Sequence, residues 1–212
     1  MFTREYFLSL IISIPGLLLA ISLHEFAHGF ASYLMGDKTA KYQGRLSLNP
    51  IHHLDLMGTL CMLLFHFGWA KPVPIDSRYY KNRKLGIIVV SLAGPFANFL
   101  IGLISAILMI VVRINFHVNP QLMSFIEMIF MYSMYMNVGL MIFNLIPIPP
   151  LDGSKVLLEF LPYRARGFMY RYERYSGLIL LILVYMGTLT PVFTFLRSEV
   201  VDFYQYIINM IF

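Results

Sequence analysis

The sequence predicts an all-α polytopic membrane protein: about four transmembrane helices, a re-entrant or membrane-associated segment built as a β-hairpin or short helix, and an interfacial C-terminal segment. Three observations lead there. Hydrophobic residues make up 58% of the 212 and charged residues only 13%, against about 25% charged in a typical soluble domain. Apolar runs near the ~20 residues that cross a bilayer recur at 6–35, 85–112, 122–147 and 176–196. The mean hydropathy of +0.71 leaves more apolar surface than one soluble core of this size can hide, so lipid is the expected solvent. The formal net charge of +5 comes with no basic run interleaved with aromatics, which argues against a nucleic-acid partner. Lys and Arg in a membrane protein ordinarily mark cytoplasmic loops. The single Cys61 excludes an intrachain disulfide, and no repeat or Ser/Gly linker divides the chain, so residues 1–212 read as a single membrane-embedded domain.

The first apolar run carries small residues, Ala20 and Ser22, where a signal peptide could be cut. Its n-region is poor, because Arg4 is followed at once by Glu5, and the run reads as a span. The stretch "MGTLCMLLFHFGWA" at 57–70 falls short of spanning length and is expected to re-enter. Charge supports re-entry. With 37–84 on one side and 153–175 returning there, thirteen basic residues face Arg4, Arg113 and Arg197 on the other. A crossing at 57–70 weakens the split to eleven against five. The positive-inside rule then puts the N-terminus outside and the loops in the cytoplasm, in an integral multi-pass protein of the cell membrane. The final "EVVDFYQYIINMIF" mixes apolar, aromatic and charged residues and reads as interfacial.

Chemistry concentrates in "HEFAH", residues 24–28. One ionisable group at membrane depth costs about 2.5–3.5 kcal/mol on insertion scales, so three within five residues call for a function. On a helix His24 and His28 share a face and can offer two imidazoles to one metal ion. Glu25 is rotated aside, within reach of a water but not of the ion. This is the arrangement of two zinc ligands with a general base. Zinc there would polarise a carbonyl and bring the pKa of a water to about 7.

A catalytic zinc site usually takes a third protein ligand. His52, His53 and His66 lie near the short apolar stretch, and Glu127 opens the third span on the far side. Asp152 is preferred. It sits in "NLIPIPPLDGSKVLLEFL" (144–161), where Pro147, Pro149 and Pro150 interrupt the helix. Irregular backbone at that depth must be buried or line a cavity. Alone, Asp152 reads as the N-cap of a helix over 153–161; beside an incomplete metal motif it reads as the ligand. Re-entry at 57–70 also brings Asp152 and the histidines to the same leaflet.

These residues resemble the site-2 protease family of intramembrane zinc metalloproteases. The resemblance rests on "HEFAH", "NLIPIPPLDG" and "SLAGPFAN" at 91–98, in that family's motif order, and covers nearly the whole chain. It implies one Zn2+ per chain on His24, His28 and Asp152, with Glu25 as base. It implies that Asn144 orients substrate backbone or stabilises the oxyanion; an interhelical hydrogen bond is the alternative. Asn98 is expected to be structural. The implied substrates are transmembrane helices of other proteins, cleaved within or near the bilayer, and the length suggests the small form without an added regulatory domain. A helical substrate must unwind to expose its carbonyls. "GWAKPVPI" at 68–75, with alternating Pro72 and Pro74, could pair with "GRLSLNP" and hold an unwound strand, or be a loop returning to the surface. Two other functions fit a membrane metal motif: a zinc or other metal transporter, and an inactive protease-like scaffold. The first needs polar groups continuing toward both faces, and the second leaves a complete ligand set without a task.

Overall fold

The computed structural model describes residues 4–65, 69–116 and 118–212. Helix α1 runs Arg4–Met35, followed by a single turn, α2, Thr39–Tyr42. The short apolar stretch contains α3, Leu56–Phe65. Then come α4, Arg83–Asn115, α5, Pro120–Leu145, and the short α6, Asp152–Phe160. Helices α7, Tyr163–Tyr185, and α8, Thr190–Ile211, close the chain. Side-chain caps set the long boundaries. Asn82 accepts from Leu85 N at the start of α4, and Asn119 accepts from Gln121 N and Leu122 N, with Pro120 in the first turn of α5. Helix α5 stops at Leu145 because the prolines that follow cannot continue it.

Among the described residues three helices are long and apolar enough to cross a membrane: Leu8–Met35, Arg83–Asn115 and Pro120–Leu145. They agree with the first, second and third predicted runs. The fourth run, 176–196, is not one helix. α7 ends at Tyr185, Gly187 turns with φ +68, Pro191 sits in the first turn of α8, and the two helices meet at 80°. Glycine adopts that left-handed turn without the steric penalty a side chain brings. The pair forms a broken span or a re-entrant loop, giving three spans, or four if the bent pair counts as one.

α4 is the hub and packs against α1, α5, α6 and α8, while α1 also packs on α5. Lipid offers helices no hydrophobic incentive to associate, so small residues and polar bonds hold them. A Cβ at Gly16 would lie 2.6 Å from Ser133 Cα, which shows how closely α1 approaches α5. Ser105 and Ser133 hydroxyls are 3.0 Å apart between α4 and α5. The largest core cluster joins Ala106 of α4, Met134, Val138, Met141 and Ile142 of α5, and Tyr204 and Ile208 of α8. The C-terminal segment was expected at the interface. Most of α8 is exposed, but one face packs on the bundle: Tyr204 is 1% exposed, and its hydroxyl donates to Phe99 O at 2.6 Å, beside Gly102 of α4.

The predicted β-hairpin is also corrected. Among the described residues there is no strand, only an isolated antiparallel bridge between Leu54 and Ala70. Pairing goes one step further, Lys71 N to His53 O at 2.9 Å. It stops there because Pro72 and Pro74 bring no N–H and the Arg45 guanidinium takes the Lys71 and Pro72 carbonyls. The bridge sets Leu54 and Ala70 side by side.

The segment 70–80 then runs back across the end of α1 as a strap. Its anchor is Asp37, 1% exposed, which accepts from Asp76 N at 2.8 Å, Thr39 N at 2.9 Å and Ser32 Oγ at 2.9 Å. Burial alone would raise the Asp37 pKa, but these donors outweigh it and hold the carboxyl below the usual range.

Two measurements check this packing. Tyr204→Ala should cost about 3–5 kcal/mol in unfolding followed in detergent, whereas Tyr206→Ala, at a site 61% exposed, should stay within about 0.5 kcal/mol. Equal small effects would return the segment to the surface. For the strap, a depressed folded pKa means its stabilisation is complete above the unfolded value of about 3.9 and declines as pH falls through the folded value. Asp76, held at about 2 chiefly by Arg78, stays charged through most of that window. Amide exchange across 71–80 should therefore accelerate below about pH 4 in the parent protein, and Asp37→Asn should be fast already at neutral pH.

Candidate metal centre

His24 and His28 lie one turn apart on α1, 5% and 6% exposed, and their Nε2 atoms are 3.0 Å apart. Asp152 meets them from the first turn of α6. Its Oδ2 is 3.0 Å from His28 Nε2 and 3.3 Å from His24 Nε2. Asp152 arrives there because Gly153 packs directly on the end of α5: a Cβ at 153 would stand 2.2 Å from Leu145 O. The cap position of α6 falls to Leu151, and Asp152 is the first helical residue. Its carboxylate is engaged by the histidines and by Lys155 Nζ, 2.8 Å from Oδ1.

The wall opposite α1 is one face of α4, where Val90, Gly94 and Asn98 follow at helical spacing. His28 Nδ1 meets Val90 O at 2.7 Å, and His24 Nδ1 meets Asn98 Oδ1. Gly94 leaves the room between. A Cβ there would lie 2.4 Å from His28 Nε2 and 2.7 Å from His24 Nε2. Beside His28 opens a cavity of about 560 Å³, lined among others by Val73, Tyr80, Pro149 and Lys155.

These contacts test whether a metal fits. A carbonyl oxygen can only accept, so His28 Nδ1 carries the hydrogen; the Asn98 bonds require the same of His24. With its hydrogen at Nδ1, the neutral form of each ring presents a lone pair at Nε2, aimed at the other ring and at Asp152 Oδ2. Three acceptors this close need a cation, and an added proton bridges only one pair. A divalent ion takes all three. Tetrahedral zinc with ligands at 2.0–2.1 Å sets them about 3.3–3.4 Å apart, close to the separations found. His24, His28 and Asp152 form the one group of potential metal ligands among the described residues.

Glu25 is not part of the triad; its Oε2 accepts from Val73 N at 2.9 Å, so the strap holds it. Asn144 is not brought into the cluster; its Nδ2 donates to Leu140 O of its own helix at 3.0 Å. His52 is exposed, and His53 is buried with Nε2 2.6 Å from Ser47 O; neither joins the triad. Glu127 pairs with Arg113 at 3.7 Å, near the end of α4 remote from Arg83. His66 lies outside the described residues.

A model of peptidase family M50 matches residues 111–187. "Putative zinc metalloprotease YwhC" of Bacillus subtilis is 36% identical over 168 residues, covering 79% of this chain and 77% of that protein. The chain belongs to peptidase family M50. This is the site-2 protease family, and the enzyme is thus an intramembrane metalloprotease with several membrane-spanning helices. "Putative zinc metalloprotease Rip2" of Mycolicibacterium smegmatis is 28% identical over 82% of the chain and 66% of its own length. The protein of the same name from Mycobacterium tuberculosis is 25% identical over 83% and 67%. No solved structure matches the chain.

Sequence reasoning missed four contributors. Lys155 was signalled by its i+3 spacing from Asp152, and Asn137 by being a polar residue inside an apolar run. The Val90 carbonyl and the Val73 N–H are main-chain groups and left no signal. Gly94→Ala should remove metal binding while leaving the helical circular dichroism of the purified protein unchanged. Full metal occupancy in that variant would move the centre elsewhere.

Proposed function

We propose that the enzyme holds one Zn2+ on His24, His28 and Asp152 and uses Glu25 to carry the proton in hydrolysis of peptide bonds within or near transmembrane helices. The observation that carries this is the convergence of three buried acceptor atoms, joined across residues 24 to 152. The names of its relatives supply zinc as the metal. When bound, zinc supplies Lewis-acid polarisation of a carbonyl and acidifies water.

The residues do the rest. Fixed at Oε2 by Val73, Glu25 keeps its other oxygen to take a proton from the attacking water and return it to the leaving amine. Lys155 occupies Asp152 Oδ1, which favours a single Asp152 oxygen for the metal. Asn144 gives one amide hydrogen to Leu140 O, which leaves its oxygen to orient a substrate N–H and its second hydrogen to reach an oxyanion.

The substrate is a membrane helix, unwound where it meets the centre. The strap turns the N–H groups of Lys71 and Val73 inward, to His53 O and Glu25. On the even-numbered residues Pro72 and Pro74 bring carbonyls without N–H donors, and the Pro72 carbonyl already accepts from Arg45. An unwound substrate pairing there would donate N–H groups and receive none, which limits strand addition to a short contact. For orientation, the basic loops that flank the metal end of α1 and α6 support a centre toward the cytoplasm, with the N-terminus outside, in the cell membrane.

Glu25→Gln should keep about one zinc per chain and lose cleavage of a transmembrane-helix substrate in proteoliposomes by at least about a hundredfold. Asp152→Ala should lose or weaken the zinc itself. Proteolysis undiminished in Glu25→Gln would refute the assigned base, and zinc unchanged in Asp152→Ala the assigned ligand.

A further inference from the structure

A chain of buried amides runs from α5 to His24, and each link fixes the next. It begins at Ser133 O, a main-chain carbonyl that can only accept. Asn137 Nδ2 donates to it at 2.8 Å, so Asn137 must turn Oδ1 the other way. That oxygen accepts from Asn98 Nδ2 at 2.9 Å, and the same Nδ2 donates to Ala20 O at 3.0 Å. Asn98 is thereby obliged to present Oδ1 to His24 Nδ1. His24 must bring the hydrogen, and its Nε2 lone pair is left facing His28 and Asp152. Both asparagines are 0% exposed, so water replaces no link.

The opposite setting is self-defeating. With Asn98 reversed, Oδ1 would face Ala20 O and Asn137 Oδ1, oxygen against oxygen. Its amide N–H group would face His24 Nδ1, which must then accept. The ring hydrogen would move to Nε2, into the space shared by the three acceptors.

We propose that Asn98 and Asn137 are positioning residues that set the tautomer and ring direction of His24 through this relay. Neither side chain reaches the metal itself. The inference rests on the reading of His24 as a zinc ligand. It differs from the view of Asn98 as a structural tie between helices, because such a tie is complete in the bonds to Ala20 O and Asn137 Oδ1 and asks nothing of the His24 ring. Outer partners of metal-bound histidines typically change affinity 10–100-fold when removed.

The test compares zinc affinity of the purified full chain, by competition with a fluorescent chelator, in the parent protein and in Asn98→Leu, Asn98→Asp, Asn137→Leu and His24→Ala. Asn98→Leu should weaken zinc roughly 10–100-fold, and Asn137→Leu should weaken it less, since Ala20 O still orients Asn98. Asn98→Asp keeps an acceptor toward His24 and should bind zinc more tightly than Asn98→Leu. A packing role predicts the reverse order, because a buried acid is worse tolerated than an apolar isostere; that order overturns the proposal.

Histidine-ring 15N spectra of the zinc-loaded protein give a second readout. Asn98→Leu should lose the Nδ1–H, Nε2-metal signature at His24 and retain it at His28, whose hydrogen goes to Val90 O. An unchanged His24 signature overturns the relay. If His24→Ala binds zinc as the parent does, the ligand reading fails and takes the relay with it. If His24→Ala loses zinc while Asn98→Leu binds normally, only the relay falls.

Discussion

Three electron-rich atoms meeting inside an apolar bundle set the terms for everything around them. His24 Nε2, His28 Nε2 and Asp152 Oδ2 lie within 3.0–3.3 Å of one another on side chains almost wholly buried. Their mutual repulsion is relieved only by a cation. Until one binds, the surrounding helices must hold the three atoms against it, and each atom accordingly has a back-side partner. Val90 O stands behind His28, Asn98 behind His24, and Lys155 behind Asp152. Low dielectric strengthens each of these bonds and makes loss of any one costly.

Close approach is the second requirement, and glycine meets it where the backbone itself is the obstacle. Gly94 lets α4 lie against the imidazole pair, and Gly153 lets α6 sit on the last carbonyls of α5. Without the first the metal space is filled; without the second Asp152 stands off from it. The proline run between α5 and α6 stops the helix so that the chain can turn back at the right depth.

Local repetition was legible in the sequence. The His24–His28 spacing, the three long apolar runs and the proline break before Asp152 each show within a few residues, and each has its counterpart in the fold. Relations across long stretches of chain were not. Asn98 reaches His24 across 74 positions, and its isolated polar character gave no sign of which group it would serve, so it was read as structural. Mean hydropathy over 176–196 averaged through Gly187, where one residue of positive φ breaks the helix. In the C-terminal segment the charged residues are conspicuous in the sequence, whereas the spacing of Tyr204 and Ile208 toward α4 and α5 is not. Alternating prolines suggested a strand edge, yet the same prolines limit it to an isolated bridge.

The two histidines owe their orientation to different kinds of chemical group. Behind His28 stands a main-chain carbonyl, which any residue at position 90 would supply. Behind His24 stands a side chain that a single nucleotide change can replace. One histidine is therefore buffered against point mutation at its support and the other is not. In a population of random variants, inactivating changes should gather at 98 and thin out at 90, although both positions lie on the same face of α4 and touch the same pair of rings.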